Sequence, residues 1–295
     1  MKTRTEKEIL NLINDFSKSD DTIRVTLLNG SRANPNAVKD PFQDYDIANF
    51  VLDVNPFRNE EYVLAHFDEA LVVEQPLSGP WPPDDADGTY HNYNMQFIDG
   101  NRIDLSFYPL SVLDKKIKDS LTKVLIDKDT RISSISPPNE GSYYLNKPDE
   151  TIYKGCCTGF FFTLSAYIPK TIWRKQLPLL KFYIESCLRN SMIMMFEWEI
   201  GTRTGWDKSI GLKGKYLEEY MIADTWKEYR KTFVGSDYTD IWESLFLSYT
   251  IFTTTARSVA ENLRFTFPEK QAIQTLKYLE HVRELPADAE VIYCS

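Results

Sequence analysis

The spacing of apolar residues changes along this chain, and the change constrains the fold more than any other feature of the sequence. Up to about residue 135, short apolar runs alternate with turns, and Ile23–Asn29 has the pattern of a buried strand. From Glu150 onward, apolar residues recur at helical spacing through long segments. The polar, proline-containing stretch Ser133–Asp149 lies between the two regions. We predict an α+β protein with a mixed-sheet α/β domain over residues 1–135 and a helical-bundle domain over residues 136–295.

The individual elements follow from the same rules. Thr5 and Glu8 predict a capping box at the start of a first helix. Further strands are predicted at 44–52, 71–74 and 124–127, a hairpin at 93–108, and a short helix at 59–69. The second region is expected to contain helices near 150–167, 174–200, 214–222, 237–263 and 268–283. The segment 76–87 is rich in Pro, Gly and Asp, which indicates an exposed loop.

Charge and composition narrow the class of partner. The 295 residues include 34 Lys and Arg against 43 Asp and Glu, so the formal charge of -9 disfavours binding to nucleic acid and suits a cationic small molecule. Four cysteines and three histidines show neither a disulfide framework nor zinc-ligand spacing. No signal-peptide pattern or membrane-length apolar run occurs, so we expect a cytoplasmic protein, without membrane association, that is a monomer or a weak homodimer.

Two carboxylates lie near the start of the second predicted strand. Asp44 and Asp46 are two residues apart, so their side chains point to the same face of the sheet about 7 Å apart. Both could reach one divalent cation or a pair of them, and Mg²⁺ commonly combines few carboxylates with substrate phosphates. Asp104 points outward on the second arm of the hairpin and could complete the metal shell or act as a general base. A solvated strand edge is the plain alternative for each of the three.

A glycine and a serine end the first predicted strand. Gly30 lets the backbone approach an anion closely, and the Ser31 hydroxyl could hold a phosphate. An ordinary turn would have the same residues. The combination is more specific than its parts, because a strand ending in Gly-Ser, then Asp-x-Asp on a strand, then a further strand Asp is the arrangement of the nucleotidyltransferase superfamily.

The segments GSRANPN and DPFQDYDIANFV, with the distal IDLSF, WRKQLPLLKF and IGLKGKYLEEY, extend this similarity over nearly the whole chain. Together they resemble the aminoglycoside 6-adenylyltransferases, the streptomycin-modifying enzymes. The resemblance implies transfer of AMP from ATP, the co-substrate, to the 6-hydroxyl of streptomycin, with release of pyrophosphate. Gly30 and Ser31 would then hold the triphosphate, and Asp44 and Asp46 would ligate Mg²⁺. Asp104 would be either the base or a third metal ligand, with Glu74 as the reserve candidate for the base.

The remaining candidates follow from the chemistry of these substrates. Streptomycin carries two guanidinium groups, which carboxylates and aromatic faces can bind. The helical region offers such groups at Glu197, Trp198, Trp206 and Asp207, although a Trp on an apolar helix is commonly a core residue. Arg32, Lys213 and Lys215 are either phosphate ligands or solvated surface cations. Three alternatives remain open: a lincosamide as acceptor, a protein hydroxyl as acceptor, and a catalytically silent relative that only binds its ligand.

Overall fold

The structure is a computed structural model and describes residues 2–78 and 88–293. The chain divides into two compact units, Met1–Ser142 and Tyr143–Ser295, which we call the first and second units. The predicted α+β class is confirmed, because a mixed sheet occupies the first unit and the described part of the second unit is helical. None of the described helices has the length and apolarity that crossing a membrane requires.

The first unit is built on one sheet. Among the described residues it has six strands: β1 (Ile23–Asn29), β2 (Tyr45–Val51), β3 (Ala70–Glu74), β4 (His91–Phe97), β5 (Arg102–Pro109) and β6 (Thr122–Asp127). Their order across the sheet is β3-β4-β5-β2-β1-β6, and the β2–β5 pair is parallel while the other pairs are antiparallel. Each predicted strand is confirmed to within a few residues at its ends.

Helical segments of the first unit cover both faces of the sheet. They are α1 (Glu6–Ser19), α2 (Gly30–Ala33), α3 (Glu60–Leu64), α4 (Leu113–Lys116) and the 3₁₀ turns Asn55–Arg58, Pro76–Ser78 and Leu110–Val112. The predicted capping box of α1 is present, since Thr5 and Glu8 each hydrogen-bond the other's backbone amide. Ile9, Ile13 and Phe16 of α1 are buried in the larger core, with Tyr45 and other side chains from one face of the sheet. The opposite face holds a smaller apolar cluster and the polar groups described below.

The second unit is an assembly of helices around an aromatic core. Its described helices are α5 (Glu150–Phe162), α6 (Ile168–Trp173), α7 (Leu177–Phe182), α8 (Arg189–Thr204), α9 (Leu217–Tyr220), α10 (Ala223–Arg230), α11 (Tyr238–Leu263) and α12 (Glu269–Arg283). In the core, Phe160 of α5 stacks on Phe252 of α11 with ring centroids 3.7 Å apart. Tyr153 is fully buried and donates a hydrogen bond from its hydroxyl to the carbonyl of Ala256 at 2.8 Å.

The helix predictions for the second unit differ in their outcomes. The helix predicted over 174–200 is confirmed over 177–204, where a π-helical turn, Tyr183–Leu188, joins α7 and α8 without a break. The helix predicted at 214–222 is wrong: the chain forms only the four-residue α9 there, and the unpredicted α10 follows it. Gly211 and Gly214 have φ of +68° and +78°, and Lys213 between them has φ of +54°, so the backbone leaves the right-handed helical region three times before α9.

Candidate active site

A row of polar side chains crosses the whole sheet of the first unit at one level. Strand pairing aligns Thr122 with Asn29, Asn29 with Asp46, Asp46 with Asp104, Asp104 with Asn94, and Asn94 with Glu74. Paired residues on neighbouring strands project from the same face, so all six side chains lie on one face of the sheet. We call these six residues the polar row. Hydrogen bonds join both of its ends, from Asn29 Nδ2 to Thr122 Oγ1 (2.7 Å) and from Asn94 Nδ2 to Glu74 Oε2 (3.0 Å).

The three predicted carboxylates meet at the centre of this row. Asp44 lies immediately before β2, Asp46 lies on β2, and Asp104 is the register partner of Asp46 on β5. One oxygen from each carboxylate can be chosen so that the three atoms lie within 4.8 Å of one another. Hard oxygen donors at this spacing fit a divalent cation such as Mg²⁺. The predicted residues are therefore brought together with the donor chemistry that such an ion requires.

Burial and mutual repulsion perturb the two carboxylates that lie on strands. The pKa of Asp46 is raised to about 7, first because the side chain is desolvated and then because Asp44 and Asp104 carry like charge. Desolvation also raises the pKa of Asp104, although the neighbouring Arg102 opposes this effect. A bound cation would offset the like charges of Asp44 and Asp104, which add to the effect of desolvation on the pKa of Asp46, and this is a second reason why the cluster suits a metal.

Position 30 requires a glycine because it lies so close to this cluster. Its φ is +67°, and an added Cβ would lie 2.0 Å from Oδ2 of Asp46. A side chain at this position would therefore be strained and would displace the Asp46 carboxylate. Ser31 follows in α2, and its hydroxyl makes no hydrogen bond to any described residue. The Gly-Ser turn predicted from the sequence therefore lies directly against the carboxylates.

Arg102 is a site residue to which the sequence analysis gave no role. Its Nε and Nη2 atoms donate to the two carboxylate oxygens of Asp104 at 2.8 and 2.7 Å. This bidentate pair fixes the orientation of Asp104 and partly compensates its charge. Alternation along the strand could place Arg102 and Asp104 on one face, but it could not show that their side chains form an ion pair.

Arg32 has a structural role that differs from the predicted contact with phosphate. Its guanidinium donates to the backbone carbonyls of Asp44 (3.0 Å) and Gln43 (2.7 Å) and lies 3.7 Å from the ring centroid of Tyr45. Only 11% of the side chain is exposed. Because its donors are directed to the backbone that leads into β2, we assign Arg32 to positioning Asp44 rather than to binding nucleotide.

The candidate substrate residues of α8 differ in how accessible they are. Trp198 is only 5% exposed and belongs to the aromatic core of the second unit, so its predicted contact with substrate is replaced by a packing role. Glu197 is half-buried, and desolvation raises its pKa. Its carboxylate makes no ion pair with any described residue. Glu197 therefore remains a candidate for pairing with a cationic group of the substrate.

The other four candidates lie in the loops that follow α8. The Trp206 ring packs on Gly201, where an added Cβ would lie 2.3 Å from it, and Asp207 is exposed with one oxygen 3.4 Å from Lys208 Nζ. Lys213 and Lys215 are exposed, and Lys215 Nζ lies 4.8 Å from the ring centroid of Tyr216. These residues belong to the second unit, and the phosphate-binding and substrate-binding roles predicted for them stay predictions.

The sequence analysis did not identify Asn29 and Asn94 as residues of the site. The alternating segment HNYNMQF identifies Asn94 as a residue of the polar face, and Asn29 precedes the Gly-Ser turn directly. Their place in the polar row depends on which strands become neighbours, and alternation within a strand does not contain that information.

Comparison with known proteins adds an independent line of evidence. A family model described as streptomycin adenylyltransferase matches residues 3–282. An aminoglycoside 6-adenylyltransferase of Bacillus subtilis (strain 168) is 30% identical over 294 residues, which is 99% of each chain. One from Staphylococcus aureus is 33% identical over 267 residues, 90% of this chain and 94% of its own. A crystal structure of an aminoglycoside 6-adenyltransferase from Bacillus subtilis is 27% identical, covers 96% of this chain and 100% of that chain, and has a TM-score of 0.47.

Proposed function

This chain belongs to the streptomycin adenylyltransferase family and is a nucleotidyltransferase enzyme. From that premise we propose that it transfers AMP from ATP to the 6-hydroxyl of streptomycin, with release of pyrophosphate. The observation that carries the proposal is the cluster of Asp44, Asp46 and Asp104 against the Gly30–Ser31 turn. Phosphoryl transfer depends on positioning and on neutralising negative charge, and a half-buried carboxylate cluster beside an anion-accepting turn suits both.

Asp44 and Asp46 would hold Mg²⁺, with Asp104 beside them. A magnesium ion at these carboxylates would neutralise phosphate charge and orient the triphosphate. The residues of the chain then have separate tasks. Gly30 allows the backbone to approach the phosphates, and Ser31 offers a free hydroxyl beside them.

Two carboxylates compete for the role of general base. Asp104 is nearer the centre of the cluster, but Arg102 engages both of its oxygens. Glu74 is exposed at the β3 end of the polar row, and its Oε2 accepts a single hydrogen bond, from Asn94. We propose Asp104 as the base, because it is the carboxylate that adjoins Asp46, with Glu74 as the candidate to examine if Asp104 proves to be only a metal ligand.

The acceptor site should be acidic. Aminoglycosides are polycations, and the chain has a net charge of -9. Glu197 offers a half-buried carboxylate without an ion-pair partner, and Asp207 offers an exposed one. We propose that they pair with cationic groups of the antibiotic, as bidentate carboxylate–guanidinium contacts.

The experiment that tests this function is pyrophosphate release from Mg·ATP with streptomycin, spectinomycin, kanamycin or lincomycin as acceptor. Release with streptomycin alone is the expected result. Release with lincomycin alone would keep the reaction but contradict the proposed substrate. No release with any of the four antibiotics, from a protein that still binds Mg·ATP, would leave a protein hydroxyl or a silent binder as the explanation.

A further inference from the structure

Two further polar residues lie next to the polar row on the same face of the sheet. The strand register pairs Asn92 of β4 with Ser106 of β5, one step of two residues away from the pair of Asn94 and Asp104. Because side chains alternate between faces with a period of two, Asn92 and Ser106 project from the same face as Asp104. We call these two residues the amide–hydroxyl pair, and no role described so far involves them.

The fold leaves the amide–hydroxyl pair without hydrogen bonds. The Oδ1 atom of Asn92 is buried and accepts no hydrogen bond. Within the described part of the chain, neither Nδ2 of Asn92 nor the hydroxyl of Ser106 makes one either. A buried acceptor that has lost water without gaining a partner costs free energy, so an unsatisfied group of this kind calls for a ligand or another functional reason.

The other amides of β4 on this face are occupied by structural contacts. Asn94 Nδ2 donates to Glu74 of the neighbouring strand at 3.0 Å. Gln96 Nε2 donates to the carbonyls of Gly100 and Asn101, at 3.2 and 3.1 Å, in the turn that joins β4 to β5. Asn92 has no such contact, so the packing of the strands does not explain why an amide occupies position 92.

Aromatic rings lie on the far side of the amide–hydroxyl pair from the polar row. Tyr90 and Tyr108 stack with their ring centroids 5.0 Å apart, and Tyr108 also stacks on Phe50 at 5.8 Å. The pair therefore lies between the carboxylates and an aromatic surface. Binding sites for small molecules commonly combine apolar surface with a few polar groups that fix the orientation of the ligand.

The proposed reaction brings the acceptor to this side of the carboxylate cluster. The Gly30–Ser31 turn, which would hold the triphosphate, lies against Asp46, on the β1 side of Asp104. The attacking and leaving oxygens lie roughly in line in phosphoryl transfer, so the acceptor approaches Asp104 from its other side, where β4 lies. Asn92 is the diagonal neighbour of Asp104 across β4 and β5, and such neighbours lie roughly 7 Å apart. Two hydroxyls of one polyhydroxylated ring can reach two side chains at this separation.

We propose that Asn92, together with Ser106, binds a second hydroxyl group of the acceptor ring while the reacting hydroxyl lies at Asp104, an inference that rests on the proposed function. A carboxamide and a hydroxyl can each donate and accept, which matches a neutral hydroxyl, whereas a carboxylate only accepts and an ammonium group only donates. This contact fixes how the ring is oriented. Asn92 therefore helps to determine which hydroxyl of the acceptor meets the base.

The test combines steady-state kinetics with calorimetry of streptomycin binding to the full chain. Asn92→Ala is expected to raise the KM for streptomycin by about fivefold to tenfold, to weaken streptomycin binding by a similar factor, and to leave the KM for Mg·ATP unchanged. Ser106→Ala is expected to raise the KM for streptomycin by about threefold. Asn92→Asp is expected to weaken binding as well, because a carboxylate cannot donate to a hydroxyl. Tighter binding by Asn92→Asp would overturn the inference, since the partner of position 92 would then be a cation.

The matched control is Gln96→Ala, which truncates another amide on the same face of β4. Because the Gln96 amide is bound to the hairpin turn, this variant is expected to lower the melting temperature and to leave the KM for streptomycin unchanged. An equal rise of that KM in Gln96→Ala and Asn92→Ala would overturn the inference, because a weakened hairpin would then explain both.

Two further outcomes separate this inference from the function on which it rests. Unchanged KM and unchanged streptomycin binding in Asn92→Ala, beside a wild type that transfers AMP to streptomycin, would overturn the inference and leave the proposed function intact. Failure of the wild type to transfer AMP to any aminoglycoside would contradict the proposed function and the inference with it.

Discussion

Asp46 illustrates how a single residue can be placed for chemistry at the expense of stability. Its carboxylate is half-buried beside two others, and its pKa is raised to about 7. An acid whose pKa is higher in the folded than in the unfolded chain destabilises the fold once it ionises. The penalty is absent below about pH 4, grows as the pH rises through the interval to about 7, and is complete above it.

We therefore predict that Asp46→Asn stabilises the metal-free protein at pH 8, by roughly 1–3 kcal/mol, while transfer activity is lost. Thermal unfolding without Mg²⁺ measures the effect. Asp114→Asn, which removes an exposed carboxylate from α4, is the control and should leave stability unchanged. A lower melting temperature for Asp46→Asn would mean that the carboxylate stabilises the sheet, contrary to this interpretation.

A second residue-scale prediction concerns the ion pair of Arg4 and Asp99. Arg4 Nε and Nη2 donate to Asp99 at 2.6 and 3.1 Å, and the two side chains are only 18% and 8% exposed. The Arg4 contact is the main reason that the pKa of Asp99 lies well below its usual range. Asp99→Asn should destabilise the protein by about 2 kcal/mol at pH 7.

The pH dependence of this pair has the opposite sign to that of Asp46. A carboxylate with a lowered pKa contributes stability above its unfolded value, near 4, and loses that contribution as the pH falls toward its folded value. Urea unfolding from pH 7 down to pH 3 should therefore show the difference between wild type and Asp99→Asn narrowing below about pH 4. A difference that stayed constant over this range would show that packing, rather than charge, accounts for the loss.

At the scale of elements, the strands were easier to predict than the helical connections. Alternating burial along His91–Phe97 and Arg102–Pro109 follows directly from the residue pattern, and the turn between them contains Asp99-Gly100. The break before α9 was missed because it depends on positive φ angles at Gly211, Lys213 and Gly214. The spacing of apolar residues contains no information about these backbone angles.

Some features of the candidate site could be predicted from the sequence, and others depend on the folded chain. Asp44, Asp46 and Asp104 could be found because a period of two fixes the face of each within its own strand. The pairing of Arg102 with Asp104, and the commitment of Arg32 to the backbone before β2, depend on side-chain orientation in the folded chain.

Gly201 provides a prediction at the scale of one helix and the loop after it. The Trp206 ring occupies the space where a side chain at Gly201 of α8 would lie, with only 2.3 Å to an added Cβ. Gly201→Ala should therefore destabilise the protein by about 1–3 kcal/mol through forced repacking. Gly155→Ala in α5 is the matched control, because nothing lies within 4 Å of its added Cβ, and it should stabilise by about 0.5–1 kcal/mol in urea unfolding. Equal effects of the two variants would contradict the packing described here.

At the scale of the whole molecule, the net charge of -9 should influence how the acceptor is captured. Attraction between an acidic protein and a polycation is screened by salt, with a Debye length near 10 Å at 0.1 M. We predict that the KM for streptomycin, at saturating Mg·ATP, rises severalfold between about 50 and about 300 mM salt while kcat changes little. Steady-state kinetics over this range measure it. A KM independent of salt would argue that the antibiotic is recognised without long-range charge.

We propose that this chain adenylylates streptomycin with the carboxylate cluster of its first unit. The most direct measurement is a mass spectrum of streptomycin after incubation with Mg·ATP and either the wild type, Asp46→Asn or the control Asp114→Asn. We predict an AMP adduct of streptomycin with the wild type and with Asp114→Asn, and unmodified antibiotic with Asp46→Asn. Unmodified streptomycin with the wild type, or an adduct formed at a normal rate by Asp46→Asn, would contradict it.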